Sequence, residues 1–111
     1  MEQPISLRES HLVLKAQSAK GVSAILPGTG GRVRELAVLV VYSKGSRGGE
    51  VMIEAGPASD FTGKWAPLTK VPWIEEDRAH YRGITGAQFV TRVRLTQPVV
   101  GGSVDVYSLG N

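Results

Sequence analysis

The side chains best suited to chemistry are few and scattered. His11 and His80 stand alone, outside any His-x-His or His-Glu-x-x-His pattern. Metal binding needs several ligands at compatible spacing, so neither histidine is expected to be a ligand. Glu75, Glu76 and Asp77 form a short acidic run, but no EF-hand loop surrounds it, and a solvated loop is expected. Ser43, Ser46 and Ser59 lie near glycines without forming a Gly-x-Ser-x-Gly elbow. The stretch from Pro27 to Arg32 looks superficially like a phosphate loop, yet it lacks the Lys-Ser/Thr ending and a following helix. The chain has 0 cysteines, which removes thiol nucleophiles, thiolate metal sites and disulfides. No catalytic set, metal site or cofactor is expected, and the protein is not expected to be an enzyme.

Two groups of surface-type residues stand out instead. Arg32 and Arg34, and again Arg92 and Arg94, are spaced by two, which places each pair on one side of a strand. If the two strands were neighbours, the four would form a basic patch suited to an acidic partner. A charged outer face that only keeps the sheet soluble is the simpler alternative. The other group is Trp65 and Trp73, with Phe61 and Asp60 close by in sequence. Exposed rings on loops can stack on sugars while a carboxylate fixes hydroxyls, but tryptophan is as often a packing residue.

The elements that must position these residues read as strands. The chain has 111 residues, enough for one domain with a thin core. It has 14 glycines, and their clusters at 28–31, 45–49 and 101–102 punctuate β-branched runs as turns would. Alternation over 11–16 sets Leu12, Leu14 and Ala16 against His11, Val13 and Lys15. Val22 to Leu26 is a short strand. The apolar run 33–43 is expected to be a central strand buried on both faces from Leu36 to Tyr42, with a glycine-rich turn at 44–49 making a hairpin to Val51, Ile53 and Ala55. Pro67 confines the strand at 65–71 to an edge. A weak strand follows at 79–84. Residues 87–96 alternate most clearly, with Ala87, Phe89, Thr91, Val93 and Leu95 inward and Arg92 and Arg94 outward. The last strand sets Val104, Val106 and Ser108 against Asp105, Tyr107 and Leu109. The expected fold is all-β: an antiparallel, jelly-roll-like β-sandwich of about eight short strands over 11–111, preceded by an extended N-terminal arm at 1–10.

Net charge is +3, with acids interspersed among the 13 lysines and arginines, which does not suggest a dedicated nucleic-acid binder. No apolar run approaches the ~20 residues of a membrane helix, and the N-terminal residues lack the basic and apolar regions of a secretory signal. A soluble protein made in a reducing cytoplasm is expected, with neither nucleic acid nor membrane as partner.

Three segments in order carry a resemblance. Glu50 to Leu68 runs from Val51-Met52-Ile53-Glu54 through a Ser59-Asp60 and glycine loop to Trp65 and Pro67-Leu68. Phe89 to Thr96 and Val104 to Gly110 follow, separated by a Gly101-Gly102 turn. Together they resemble a module of bacteriophage virion proteins, and the chain is similar to small capsid decoration, or cementing, proteins of tailed phages of the epsilon-fifteen-like podovirus staple type. The resemblance implies a jelly-roll-like sandwich on the outer capsid surface of the virion. It also implies a homodimer that clamps neighbouring major capsid protein subunits and stabilises the shell, with extended termini along it.

On that reading the capsid-contact candidates are Ile5, Leu7 and Arg8 of the arm, with Arg32, Arg34, Arg92 and Arg94. The alternative is a carbohydrate-binding module of a tail or receptor-binding apparatus, with Asp60, Trp65 and Trp73 as the sugar site.

Overall fold

A computed structural model describes residues 10–27, 29, 35–75, 78–85 and 89–110. The arm candidates Ile5, Leu7 and Arg8, and also Arg32 and Arg34, lie outside the described residues. Eight strands follow in chain order: β1 (His11–Gln17), β2 (Gly21–Val22), β3 (Glu35–Tyr42), β4 (Glu50–Gly56), β5 (Ala66–Pro72), β6 (Ala79–Thr85), β7 (Val90–Gln97) and β8 (Val104–Gly110). They form two four-stranded antiparallel sheets, ordered β1-β8-β3-β6 and β2-β7-β4-β5. The pairs β1·β8, β2·β7, β3·β6 and β4·β5 are nested one inside the next, as in a long hairpin rolled into a jelly roll. The sequence-based fold class is therefore the observed one. Among the described residues no helix is long and apolar enough to cross a membrane.

The core lies between the sheets and follows from period-2 alternation. Leu36, Val38, Val40 and Tyr42 of β3 join Val104 and Val106 of β8 and Leu14 of β1 from one side. Val51 and Ile53 of β4, Val71 of β5, and Val93 and Leu95 of β7 meet them from the other. Tyr42 is the largest fully buried side chain, and its hydroxyl donates to the Val71 carbonyl across the sandwich at 2.7 Å. That bond satisfies the one polar atom such a ring brings inside.

Four expectations are corrected. The run 33–43 is not buried on both faces: β3 alternates, and Leu39 is 40% exposed on the outside. The strand closed on both sides is β4, whose outward Met52 and Glu54 are buried beneath neighbouring side chains. Second, β3 and β4 are not a hairpin, because they belong to different sheets. The turn between them crosses the sandwich, using positive φ at Gly45, Gly48 and Gly49. A Cβ on Gly49 would lie 2.9 Å from Val99 Cγ2 and 3.1 Å from the Tyr42 ring, so the turn also presses against the core.

Third, Leu12 and Leu14 do not share a buried face. A register shift inserts Val13 between them, leaving Leu12 44% exposed while Val13 packs against the core. A second shift ends near Ala16, at φ 48°, whose amide donates to Asp105 Oδ1 at 2.6 Å. Finally, Phe89 does not point inward; it sits just before β7 and is 64% exposed. Pro67 lies on the edge strand β5 as expected, beside a register shift opposite Ile53 and Glu54. Of Val22 to Leu26 only Val22 is in regular pairing, with Gly21 before it. Ser23 and Leu26 continue it by donating amide hydrogens to the Val93 and Thr91 carbonyls, both at 2.8 Å.

Candidate functional site

Strands β4 and β7 are neighbours, and their register sets Glu54 opposite Arg92 and Met52 opposite Arg94. All four side chains point away from the core, onto the outer face of the second sheet. Glu54 is nevertheless only 2% exposed. Arg92 Nε donates to its Oε1 at 2.7 Å, and Arg94 Nε donates to its Oε2 at 3.3 Å. A carboxylate withdrawn from water is tolerated here because each oxygen meets a charged donor. Each arginine engages Glu54 through Nε, which leaves its terminal Nη groups for another acceptor.

The loop before β5 completes the arrangement. Arg92 lies over the Trp65 ring, 4.0 Å from its centre, in cation–π contact. Trp65 is held from beneath and from the side. Its indole N–H donates to the Phe61 carbonyl at 3.0 Å, and the Phe61 ring leans on it at 6.3 Å between centres. Gly56 on β4 lets the indole approach the strand, since a Cβ there would stand 2.9 Å from two ring carbons. The result is an open depression of about 290 Å³ whose lining includes Met52, Glu54, Lys64, Trp65, Arg92 and Arg94. Three cationic side chains face one carboxylate in it. A second dent of about 250 Å³ adjoins it across Lys64 and is lined mainly by Pro57, Phe61, Ala66 and Phe89.

The structure thus brings together Arg92, Arg94 and Trp65, which the sequence assigned to two different readings. Arg32 and Arg34, the other half of the expected basic patch, lie outside the described residues. Trp65 is 5% exposed and covered by Arg92, so its ring offers no open face for stacking. Trp73 sits at the opposite end of β5, roughly 25 Å away at strand rise. It packs against the core, and its indole N–H donates to Ser46 Oγ at 3.2 Å. The two tryptophans therefore form no common platform, and Asp60 stands exposed in the loop between β4 and β5. Among the described residues no three histidine, aspartate or glutamate side chains gather as metal ligands.

The outer face of the first sheet has the opposite character. Register aligns Leu12, Tyr107, Leu39 and Tyr81 in one row across β1, β8, β3 and β6. Leu12, Leu39 and Tyr81 are 44%, 40% and 66% exposed. The flanking row on β8, β3 and β6 is Leu109, Ala37 and Gly83. On β3, β6 and β8 the charged residues of this face are Glu35 and Asp105, away from its middle, and Asp105 is occupied by the Ala16 amide. One sheet shows a charged surface and the other an outer face with an uncharged middle, which the strand alternation contained but the sequence reading did not single out.

No family model matches the chain, and no curated protein matches it. Among solved structures it is similar to the SPBc2 prophage-derived protein YomS, with a TM-score of 0.68 and 14% sequence identity over 100% of this chain and 99% of that one. The likeness is one of fold and extends through the whole sandwich.

Proposed function

We propose that the protein is a phage virion component that binds the outside of the capsid and clamps neighbouring major capsid protein subunits. The role is one of binding, without catalysis. The observation that carries the reading is the pair of chemically opposite outer faces on a jelly roll whose fold is shared, end to end, with a prophage-derived protein. A protein that joins surfaces needs two distinct faces. The uncharged row of Leu12, Tyr107, Leu39 and Tyr81 suits a seam with a second copy, because an isologous contact sets a patch against itself without like charges meeting. The face with Arg92 and Arg94 then remains free for the shell, together with the arm candidates Ile5, Leu7 and Arg8. Contacts too weak singly to hold would add by avidity when a dimer spans several subunits.

The commitment of both tryptophan rings to internal contacts withdraws support from the carbohydrate-binding alternative. The test is co-sedimentation of purified protein with empty shells of its own phage, followed by negative-stain microscopy. Regular added density on the outer surface is the expected result. Shells that sediment free of the protein at saturating concentration would overturn the proposal, as would density confined to the tail.

A further inference from the structure

We infer that the depression between Arg92, Arg94 and Lys64 is a recognition site for a protein segment in which a carboxylate stands beside an apolar side chain. This rests on the proposal that the second sheet faces a protein partner, and it names the chemistry of that partner.

Four observations carry it. Glu54 holds both guanidinium groups by Nε alone, so it fixes their direction without using their Nη donors. Trp65 fixes Arg92 a second time, from the ring face. An arginine immobilised at two points has already lost much of the rotamer freedom that binding would cost, and its planar fork matches a carboxylate. Glu54 cancels one of the three positive charges, which leaves an excess for one or two incoming carboxylates. The adjoining dent lined by Phe61, Phe89 and Pro57 is almost wholly apolar and shares Lys64 with the charged depression. A segment with acidic and apolar side chains in succession would fill both.

Nucleic acid fits less well. A phosphate chain needs a track of cations and open aromatic faces for bases. Here the cations are gathered around a buried carboxylate, and the tryptophan is covered by Arg92.

The experiment is titration of the ¹⁵N-labelled full chain with a capped peptide carrying Leu-Glu-Glu between glycines. The side-chain N–H signals of Arg92, Arg94 and Trp65 are followed. Those three signals and the backbone around Phe89 are expected to move together. Replacing both glutamates by glutamine is expected to weaken binding about tenfold, the usual worth of a charge-assisted pair. Arg94→Gln, at a half-exposed position, is expected to do the same while leaving the rest of the spectrum folded, and Leu→Ser in the peptide is expected to abolish the shift at Phe89. Absence of binding, equal binding of the glutamine peptide, or shifts spread equally over Arg47, Arg82 and Lys15 would overturn the inference. So would tighter binding of a short oligothymidylate. Shell binding without peptide binding removes this inference alone; peptide binding without shell binding removes the capsid role.

Discussion

Arg92 is held at two points: its Nε donates to Glu54 Oε1 at 2.7 Å, and its guanidinium lies 4.0 Å from the centre of the Trp65 ring. The first contact links neighbouring strands, and the second ties the β4–β5 loop down onto the sheet. One side chain therefore joins the rigid part of the sandwich to the loop that shapes its charged depression. Arg94 has only the longer contact with Glu54, at 3.3 Å, and its side chain is 45% exposed.

This difference predicts an asymmetry. Arg92→Ala strands the buried Glu54 carboxylate with one long contact and uncovers Trp65, and is expected to cost about 2–3 kcal/mol. Arg94→Ala is expected to cost no more than about 1 kcal/mol, because water replaces an exposed partner. Urea unfolding of the two variants checks the order, and equal losses would contradict it.

Tyr42 predicts an alkaline limit. Burial, reinforced by the nearby Glu50 carboxylate, pushes its hydroxyl up to about 12. The unfolded chain releases that proton near 10, so between 10 and 12 the folded state holds more protons than the unfolded one. The stability contributed is complete below pH 10 and is lost as pH rises through that window, by roughly 2–3 kcal/mol. Chemical unfolding at pH 9 and near pH 11.5 should show the loss. Tyr42→Phe should flatten this component of the pH dependence, and should cost about 1 kcal/mol at neutral pH through loss of the hydrogen bond to the Val71 carbonyl.

Gly56 predicts a steric limit. Gly56→Ala drives a methyl group into the Trp65 indole at 2.9 Å and is expected to cost about 1–3 kcal/mol. Because the indole must move, Trp65 fluorescence and the Arg92 side-chain signal should change with it. A destabilised variant with both signals unchanged would contradict the account.

The uncharged row predicts a separation of stability from assembly. Tyr81→Ser and Leu39→Asn alter exposed positions and are expected to leave the unfolding midpoint nearly unchanged, within about 1 kcal/mol. The same changes should reduce self-association in sedimentation and occupancy on shells. Wild-type association in the double variant would count against that seam.

Much of this architecture is legible in the sequence, because strand alternation is a local signal. Residues 90–97 and 104–110 show their inward and outward sets directly, which is why Arg92, Arg94 and the Val104–Val106 core positions fall where alternation puts them. The misreadings arise where a non-local partner decides. Glu54 reads as an ordinary outward carboxylate, and its burial depends on arginines that sequence separation hides. The turn after Tyr42 has the glycines of a hairpin, yet whether such a turn stays in one sheet or crosses to the other depends on which strands β3 and β4 later meet. Val13 and Phe89 follow the alternation on paper. A register shift at Val13, and the position of Phe89 just outside β7, turn each to the other side. Trp65 is ambiguous until its neighbours are known, since the same ring serves stacking on a sugar or support of an arginine.

The nested pairing also orders events in time. β4 and β5 are joined by a short loop, whereas β1 can meet β8 only when nearly the whole chain has been gathered. Loop-closure entropy favours the inner pair, and the high sequence separation of the outer ones places the protein among slow, millisecond-to-second folders. The roll is therefore expected to close from its middle outwards and to loosen in reverse. Amide exchange should reach β1 and the two-residue β2 first and β4 last, so the sandwich gives way at its chain ends while the strand that orients the arginines is still protected.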